Sequence, residues 1–424
     1  MRLIEEILST ENISLAQKRV MSNKGTGGVD GMSVEELAAY MHVHWESIRE
    51  SIKSRAYRPH PVRRVEIPKP SGGVRKLGIP TVVDRVIQQA IAQVLTPIFE
   101  NEFQDNSYGF RPGRSCAQAI LRLTAYINEG YGWIVDIDLE KFFDNVPQDK
   151  LMSYVGRVIR DPDTESLIRK HLKAGAMDKG NYHPTNLGTP QGGNLSPLLG
   201  NVMLNELDKE LQRRGLRYVR YADDCVIAVG SRISANRVMR AITTWIEREL
   251  GLKVNAIKTH VCRPSNLKYL GFSFCKTNGA WHARPHSDSY TKFTRELKRL
   301  CKRSWSITMA ERIIKLNAVI RGWVNYFAIG MMKKRLAEID EHLRTLLRVV
   351  IWKQWKTPHK RAWGLRKLGI DDGLAKLTSY CGDRYQWIVR KTCVARAISK
   401  EILGRKGLVS CLDYYLIRHS LKTN

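Results

Sequence analysis

Leu216-Arg217-Tyr218-Val219-Arg220-Tyr221-Ala222-Asp223-Asp224-Cys225-Val226-Ile227-Ala228-Val229 is the stretch on which the fold of this 424-residue chain turns. Two β-prone runs flank one small residue and two acids, the pattern of a hairpin with Asp223 and Asp224 at its tip. Adjacent carboxylates on a tip suit a divalent cation. A second acidic stretch, Trp133-Ile134-Val135-Asp136-Ile137-Asp138-Leu139-Glu140-Lys141-Phe142-Phe143-Asp144, alternates Trp133, Val135 and Ile137 with Ile134, Asp136 and Asp138. Period-two alternation predicts a strand with both acids on one face. A charged Asp on a central strand is costly unless paired, and a metal shared with the Asp223 tip would pair it. Alternation treats Asp136 and Asp138 alike, so the choice between them stays open here.

Working outward, short apolar runs alternate with helical stretches over residues 132–230, which predicts a mixed sheet with helices on one face. Upstream, Leu3, Ile4, Ile7 and Leu8 keep a helical period. The run Asn23-Lys24-Gly25-Thr26-Gly27-Gly28-Val29-Asp30-Gly31 reads as a flexible loop. Residues 58–75, rich in Pro, Gly and basic side chains, read as extended segments around a turn. Val86, Ile87, Ala90, Ile91, Val94 and Leu95 predict the buried face of a helix. Downstream, Leu316, Ile320, Trp323 and Phe327, then Leu336, Ile339, Leu343, Leu346 and Val350, predict two amphipathic helices.

Charge separates the two ends of the chain. Lys and Arg number 70 against 41 Asp and Glu, a net charge of +29. Residues 281–424 hold 31 Lys/Arg and 11 Asp/Glu, so the excess is concentrated in the helical third. Such a density repels itself unless it meets a polyanion. Trp352, Trp355, Trp363, Tyr380, Tyr385 and Trp387 lie among these cations. Most are expected to pack inward, with one or two left to stack on unpaired bases. The apolar fraction of 43% predicts a folded protein. No apolar run reaches the length of a membrane span, and the acidic start Met1-Arg2-Leu3-Ile4-Glu5-Glu6 is unlike a signal peptide, so a cytoplasmic location without membrane contact is expected. Eight cysteines, Cys116, Cys225, Cys262, Cys275, Cys301, Cys381, Cys393 and Cys411, form no C-x-x-C pair and read as reduced thiols.

The ordered blocks resemble those of the group II intron-encoded reverse transcriptase/maturase family. Tyr221-Ala222-Asp223-Asp224 resembles its fingerprint hairpin. Asp138 followed by Phe143 resembles its first catalytic motif, which favours Asp138 over Asp136. Tyr108-Gly109-Phe110-Arg111-Pro112-Gly113-Arg114 is similar to its Gly-Phe-Arg-Pro block, and Gly188-Thr189-Pro190-Gln191-Gly192-Gly193 to its Pro-Gln-Gly block. Tyr269-Leu270-Gly271-Phe272 resembles the primer grip, and Ile320-Arg321-Gly322-Trp323-Val324-Asn325-Tyr326-Phe327 part of the maturase thumb.

The resemblance implies an α+β right-hand polymerase, with an antiparallel palm sheet, a helical thumb and a small C-terminal nucleic-acid-binding domain. The implied boundaries are 1–85 for the N-terminal extension and fingers, 86–282 for fingers and palm, 283–368 for the thumb and 369–424 for the last domain. Asp138, Asp223 and Asp224 are then the catalytic acids that bind two Mg²⁺. Lys69, Arg75, Phe143, Gln191, Ala222 and Lys258 would surround the incoming dNTP, and Leu270, Gly271 and Phe272 would hold the primer. Arg63, Arg111 and Gly25, Thr26, Gly27 and Gly28 would meet the template. Implied partners are group II intron RNA, an RNA template/DNA primer duplex and target DNA, and a homodimer is compatible with the family. The compact length resembles members without the His/Cys endonuclease. Competing expectations are a non-enzymatic RNA-binding splicing factor of the same fold and an RNA-dependent RNA polymerase.

Overall fold

The computed structural model describes residues 2–68, 72–189, 192–382 and 384–423. The chain forms two compact units, Met1–Arg263 and Pro264–Asn424. Its strands are β1 (Val62–Pro68), β2 (Val74–Ile79), β3 (Trp133–Ile137), β4 (Ala176–Asp178), β5 (Asn181–His183), β6 (Arg217–Tyr221), β7 (Asp224–Val229), β8 (His260–Cys262), β9 (Phe272–Thr277) and β10 (Ala280–Pro285). Sheets of both parallel and antiparallel pairs sit among many helices, the α+β architecture expected.

In the first unit, the helix Val82–Glu100 forms the spine of the core. Its apolar residues recur at helical spacing, and Val82, Val86, Ile87, Ala90, Ile91 and Leu95 are wholly buried. Burying each of the larger side chains is worth about 1.5–3 kcal/mol. The helix starts where Thr81 accepts the Asp84 N–H at 3.2 Å. Asp84 is itself buried, and it is satisfied by the Tyr57 hydroxyl at 2.7 Å, the Thr81 hydroxyl at 2.6 Å and the His60 N–H at 3.1 Å. A mixed sheet of order β2-β1-β4-β5 lies in this unit, with β1 antiparallel to β2 and parallel to β4.

The second sheet, β6-β7-β3-β8, is antiparallel throughout and not mixed as expected, because β6 and β7 are joined by a tight hairpin and β3 and β8 pair antiparallel to their neighbours. Val135, Ile137, Ile227 and Val229 join a core cluster with Ala235 and Ile242 of the helix Arg232–Trp245. The opposite alternation on β3 carries Ile134 and Asp136 and runs on to Asp138. One face of the sheet is therefore apolar and covered by a helix, while the other bears acids.

The second unit opens with the hairpin β9–β10 and continues as helices. Among them are Ser287–Leu300, Met309–Phe327 and Lys333–Gln354. Phe293 and Trp323 stack at 4.4 Å and 9° where the first two meet. In the third, the buried position is Leu347 and not Leu346, which is only partly covered. Both fall within the width of an apolar stripe, and the neighbours select between them. The last helix, Cys411–Thr423, is tied back by Asp340, which accepts from the Cys411 and Leu412 N–H groups at 2.8 and 2.9 Å. That places an anion at a helix N-terminus.

Among the described residues no helix is long and apolar enough to cross a membrane. The eight cysteines are free thiols.

Candidate active site

Strand register brings the two acidic stretches together. Ile137 pairs with Cys225 across β3 and β7, so Asp138, the next residue, falls beside Asp224, the residue before Cys225. Tyr221 pairs with Asp224 across β6 and β7, which leaves Ala222 and Asp223 as the two turn residues. The hairpin tip is therefore Ala222-Asp223, one residue earlier than the predicted Asp223-Asp224. Asp224 starts the returning strand and is exposed. Ala222 adopts φ +56°, a left-handed conformation that a two-residue hairpin turn demands and that a side chain resists.

The acids crowd one another. Burial raises the Asp224 carboxyl to about 7, and the charges of Asp223, Asp136 and Asp138 add to the rise while Lys258 opposes it. Asp224 is exposed at the surface, and the protein packed around its carboxyl group supplies the desolvation. Burial likewise raises Asp223, with Asp138 adding to the rise and Arg75 opposing it. Asp136 is raised to about 6 by burial and by Asp138, against the pull of His260. It lies inside the sheet, paired with Val226 and His260, whereas Asp138 stands past the strand end. Lys258 Nζ approaches Asp138 Oδ2 at 3.4 Å, and the Asp138 N–H donates to Thr259 Oγ1 at 3.1 Å.

Hard carboxylate oxygens that repel one another suit a hard divalent cation. The described residues nevertheless contain no cluster of three or more His, Cys, Asp or Glu already close enough to hold one. An open set of this kind leaves a divalent cation to keep several waters and take its remaining ligands from substrate phosphates. Asp138, Asp223 and Asp224 fit the ion as partial ligands and do not form a closed cage.

Of the predicted nucleotide residues, Arg75 and Lys258 reach the acids. Phe143 lies on the short helix Phe142–Asn145, half-buried, with its ring 5.0 Å from Phe142. The Thr189 N–H donates to the Phe143 carbonyl at 2.7 Å. Arg75 is on β2 opposite Ile67, and its charge reaches Asp223. Lys69 and Gln191 lie outside the described residues. Leu270, Gly271 and Phe272 belong to the second unit, where they form a tight turn. Tyr269 and Phe272 exchange backbone hydrogen bonds there at 3.0 and 2.8 Å, and the Tyr326 hydroxyl donates to the Leu270 carbonyl at 3.0 Å.

Three expectations change. Arg111, expected at the template, is buried, and its guanidinium is held by both Glu100 carboxylate oxygens and by the Gln104 and Ser107 carbonyls at 2.7 and 2.9 Å. Four of its five N–H donors are engaged within the protein, and the side chain is buried away from any template. The Gly25 to Gly28 loop is docked and not free. Arg63 Nη2 donates to the Gly27 carbonyl at 2.8 Å, and Arg85 donates to the Thr26 carbonyl. At Gly28 a Cβ would fall 2.6 Å from Thr81 Cα, so only glycine lets the loop lie this close. Trp363, Tyr380 and Trp387 are exposed, with lysine ammonium groups over Trp363 and Trp387 at 4.8 and 3.9 Å. Half of the six rings therefore face solvent, where most were expected to pack inward.

One residue escaped the sequence reading altogether. Arg220, wholly buried on β6, donates to both oxygens of the equally buried Asp208, to Asn201 Oδ1 at 3.0 Å, to Ser107 Oγ at 2.7 Å and to the Ala222 carbonyl at 2.8 Å. Asn201 in turn donates to the Gly109 carbonyl at 2.8 Å. A Cβ on Gly109 would overlap the Ala222 nitrogen. The acid-bearing turn is therefore braced from beneath by a satisfied polar network. The only signal in the sequence was a charged residue inside a β-prone run.

A hairpin and strand bringing carboxylates together on one face of an antiparallel sheet, followed in the chain by a basic helical unit, are the arrangement of a template-directed nucleic-acid polymerase. Comparison with known proteins narrows the class. Residues 67–274 match the reverse transcriptase (RNA-dependent DNA polymerase) family model, and residues 290–369 match the group II intron, maturase-specific domain. The chain belongs to the group II intron-encoded reverse transcriptase/maturase family. It is 35% identical to Protein YkfC of Escherichia coli strain K12 over 300 residues, covering 61% of this chain and 79% of that protein. It is 31% identical to Group II intron-encoded protein LtrA of Lactococcus lactis subsp. cremoris over 344 residues, 64% of this chain and 56% of LtrA. A putative COX1/OXI3 intron 2 protein of Saccharomyces cerevisiae is 28% identical over 67% of this chain and 40% of its own length. The chain thus spans about half or less of the last two relatives.

Proposed function

We propose that the chain is an RNA-directed DNA polymerase that copies group II intron RNA from a DNA primer, and that it also binds the intron RNA to promote splicing. The observation that carries this reading is the β3–β7 register, which sets Asp138 beside the Tyr221-Ala222-Asp223-Asp224 hairpin. Fingers over 1–85, fingers and palm over 86–282, thumb over 283–368 and a nucleic-acid-binding domain over 369–424 are the assignment that goes with it.

Asp138, Asp223 and Asp224 would hold two Mg²⁺, which when bound neutralise charge on the attacking 3′-oxygen and the departing pyrophosphate. The chain's own groups do the rest. Arg75, with Lys69, orients the triphosphate of a dNTP. The Phe143 ring excludes a ribose 2′-hydroxyl. The Lys258 ammonium, held near Asp138, has a proton to give to pyrophosphate. Gln191 supports the templating pair, and Leu270, Gly271 and Phe272 hold the primer strand. The basic second unit supplies sequence-independent attraction for intron RNA and target DNA.

The test is Mg²⁺-dependent incorporation of dNTP on a primed RNA. The unmutated chain should extend the primer and Asp224→Asn should not. Full extension by the variant would overturn the assignment of the catalytic acids, and no extension by the unmutated chain would favour the non-enzymatic RNA-binding splicing factor.

A further inference from the structure

The helix Arg232–Trp245 has the sequence Arg-Ile-Ser-Ala-Asn-Arg-Val-Met-Arg-Ala-Ile-Thr-Thr-Trp, with three arginines and no acid. Its inner side buries Ala235 and Ile242 in the cluster that contains Val135 and Ile137. The helix therefore covers the sheet face opposite the one that carries Asp136 and Asp138. On its outer side lies an open groove of about 710 Å³, framed by Arg237, Arg240, Arg214 and Arg248 with Ile233 and Trp245 among its walls.

Two of these arginines are already engaged, Arg214 with Glu210 at 2.7 Å and Arg248 with Glu249 at 2.7 Å. Arg237 and Arg240 are exposed, and neither has a carboxylate partner among the described residues. Beside them, Ile233 is 84% exposed, while Trp245 is anchored by one edge in the core. The chain then makes a π-helical turn, Ile246–Leu250, a rare conformation found often at functional sites, and this turn carries Arg248. From Arg237 to Arg248 the row runs roughly 16 Å along the axis at about 1.5 Å per residue.

We infer that this groove is a second RNA site, on the back of the palm, that takes an unpaired strand or loop of RNA. Arg237 and Arg240 meet consecutive phosphates, and a base lies against Ile233 and Trp245. Cationic groups beside an apolar and aromatic wall are the chemistry that single-stranded nucleic acid recognises, whereas a duplex keeps its bases out of reach. Because the groove is on the opposite face from the acids, it can be filled while a template–primer occupies the cleft. The inference rests on the reading of the chain as an RNA-binding polymerase, and it places part of the intron RNA on a particular surface.

The test uses the full chain with its cleft filled by a saturating chain-terminated RNA template/DNA primer, and titrates a fluorescent 12-nucleotide oligouridylate over a range of salt. The unmutated protein should bind the oligomer. In Arg237→Glu/Arg240→Glu the affinity should fall at least tenfold, and the slope of log affinity against log salt should drop by about 1.4, as expected for two lost contacts to a single strand. Arg237→Lys/Arg240→Lys should retain most of the affinity. Extension of a short primed RNA should stay within twofold in both variants, which reports that they fold. Unchanged oligouridylate affinity in the glutamate variant, or no binding by the unmutated protein with its cleft filled, would overturn the second site and leave the polymerase reading intact. Failure of the unmutated chain to extend a primer would strike the polymerase reading instead. An equal loss of extension and of oligouridylate binding in the glutamate variant would also overturn the site, because the groove would then not be separate from the cleft.

Discussion

Arg220 and Asp208 form a wholly buried two-pronged ion pair, Nη2 to Oδ2 at 2.5 Å and Nε to Oδ1 at 2.8 Å, and the same guanidinium holds the Ala222 carbonyl at the active-site turn. Removing one member strands the other charge in the core, at a cost of about 3–5 kcal/mol. Arg220→Met and Asp208→Leu singly should each lower the melting temperature sharply. The pair replaced together should recover much of that loss, since two apolar groups need no partner. Primer extension should not recover, because the Ala222 carbonyl has still lost its donor. Thermal melting and extension rates on the three variants check this, and restored extension in the double variant would show that the pair serves stability alone.

The pH response of the metal-free protein follows from Asp224. Its folded pKa, about 7, is above the ordinary carboxylate value, so the folded state binds this proton more tightly than the unfolded chain does. The contribution is fully present below about pH 4 and is lost as pH rises through about 7. Melting temperature without divalent cations should therefore fall over that window. Asp224→Asn should flatten the fall, and Mg²⁺ should restore stability at the alkaline end. A metal-free melting profile with the same slope in both proteins would contradict this.

Close approach at Gly109 makes a steric prediction. In Gly109→Ala the new Cβ meets the Ala222 nitrogen, and the turn must shift. Overpacking of this kind costs roughly 1–3 kcal/mol, and extension should fall at least tenfold. Ala222→Gly relieves the positive φ and should leave the melting temperature unchanged or slightly higher.

Sugar selection isolates Phe143. Phe143→Ala should narrow the preference for dNTP over NTP by about 10- to 100-fold with little change in dNTP turnover, which single-nucleotide incorporation reads directly. Such a factor corresponds to about 1.4–2.8 kcal/mol of lost discrimination. Equal use of both by the unmutated chain would remove the gate.

The sequence by itself determined what depends on neighbours along the chain. Alternation made Trp133 to Ile137 a strand, a small residue and two acids made the hairpin, and helical spacing marked the faces that carry Leu316 and Leu336. Those preferences are local, set by side-chain period and turn chemistry. The acidic constellation was legible for the same reason, because its residues sit in short patterned segments. Tertiary structure decided which distant groups meet. Only strand register placed Asp138 next to Asp224 and left Asp136 inside the sheet. Only burial turned Arg111 inward onto Glu100, fastened Arg63 to Gly27, and joined Arg220 to Asp208, Asn201 and Ser107. An arginine carries the same charge whether it faces solvent or a buried carboxylate. Its role is fixed by the desolvation and donor geometry that the folded chain imposes, and these arise from contacts between segments far apart in sequence.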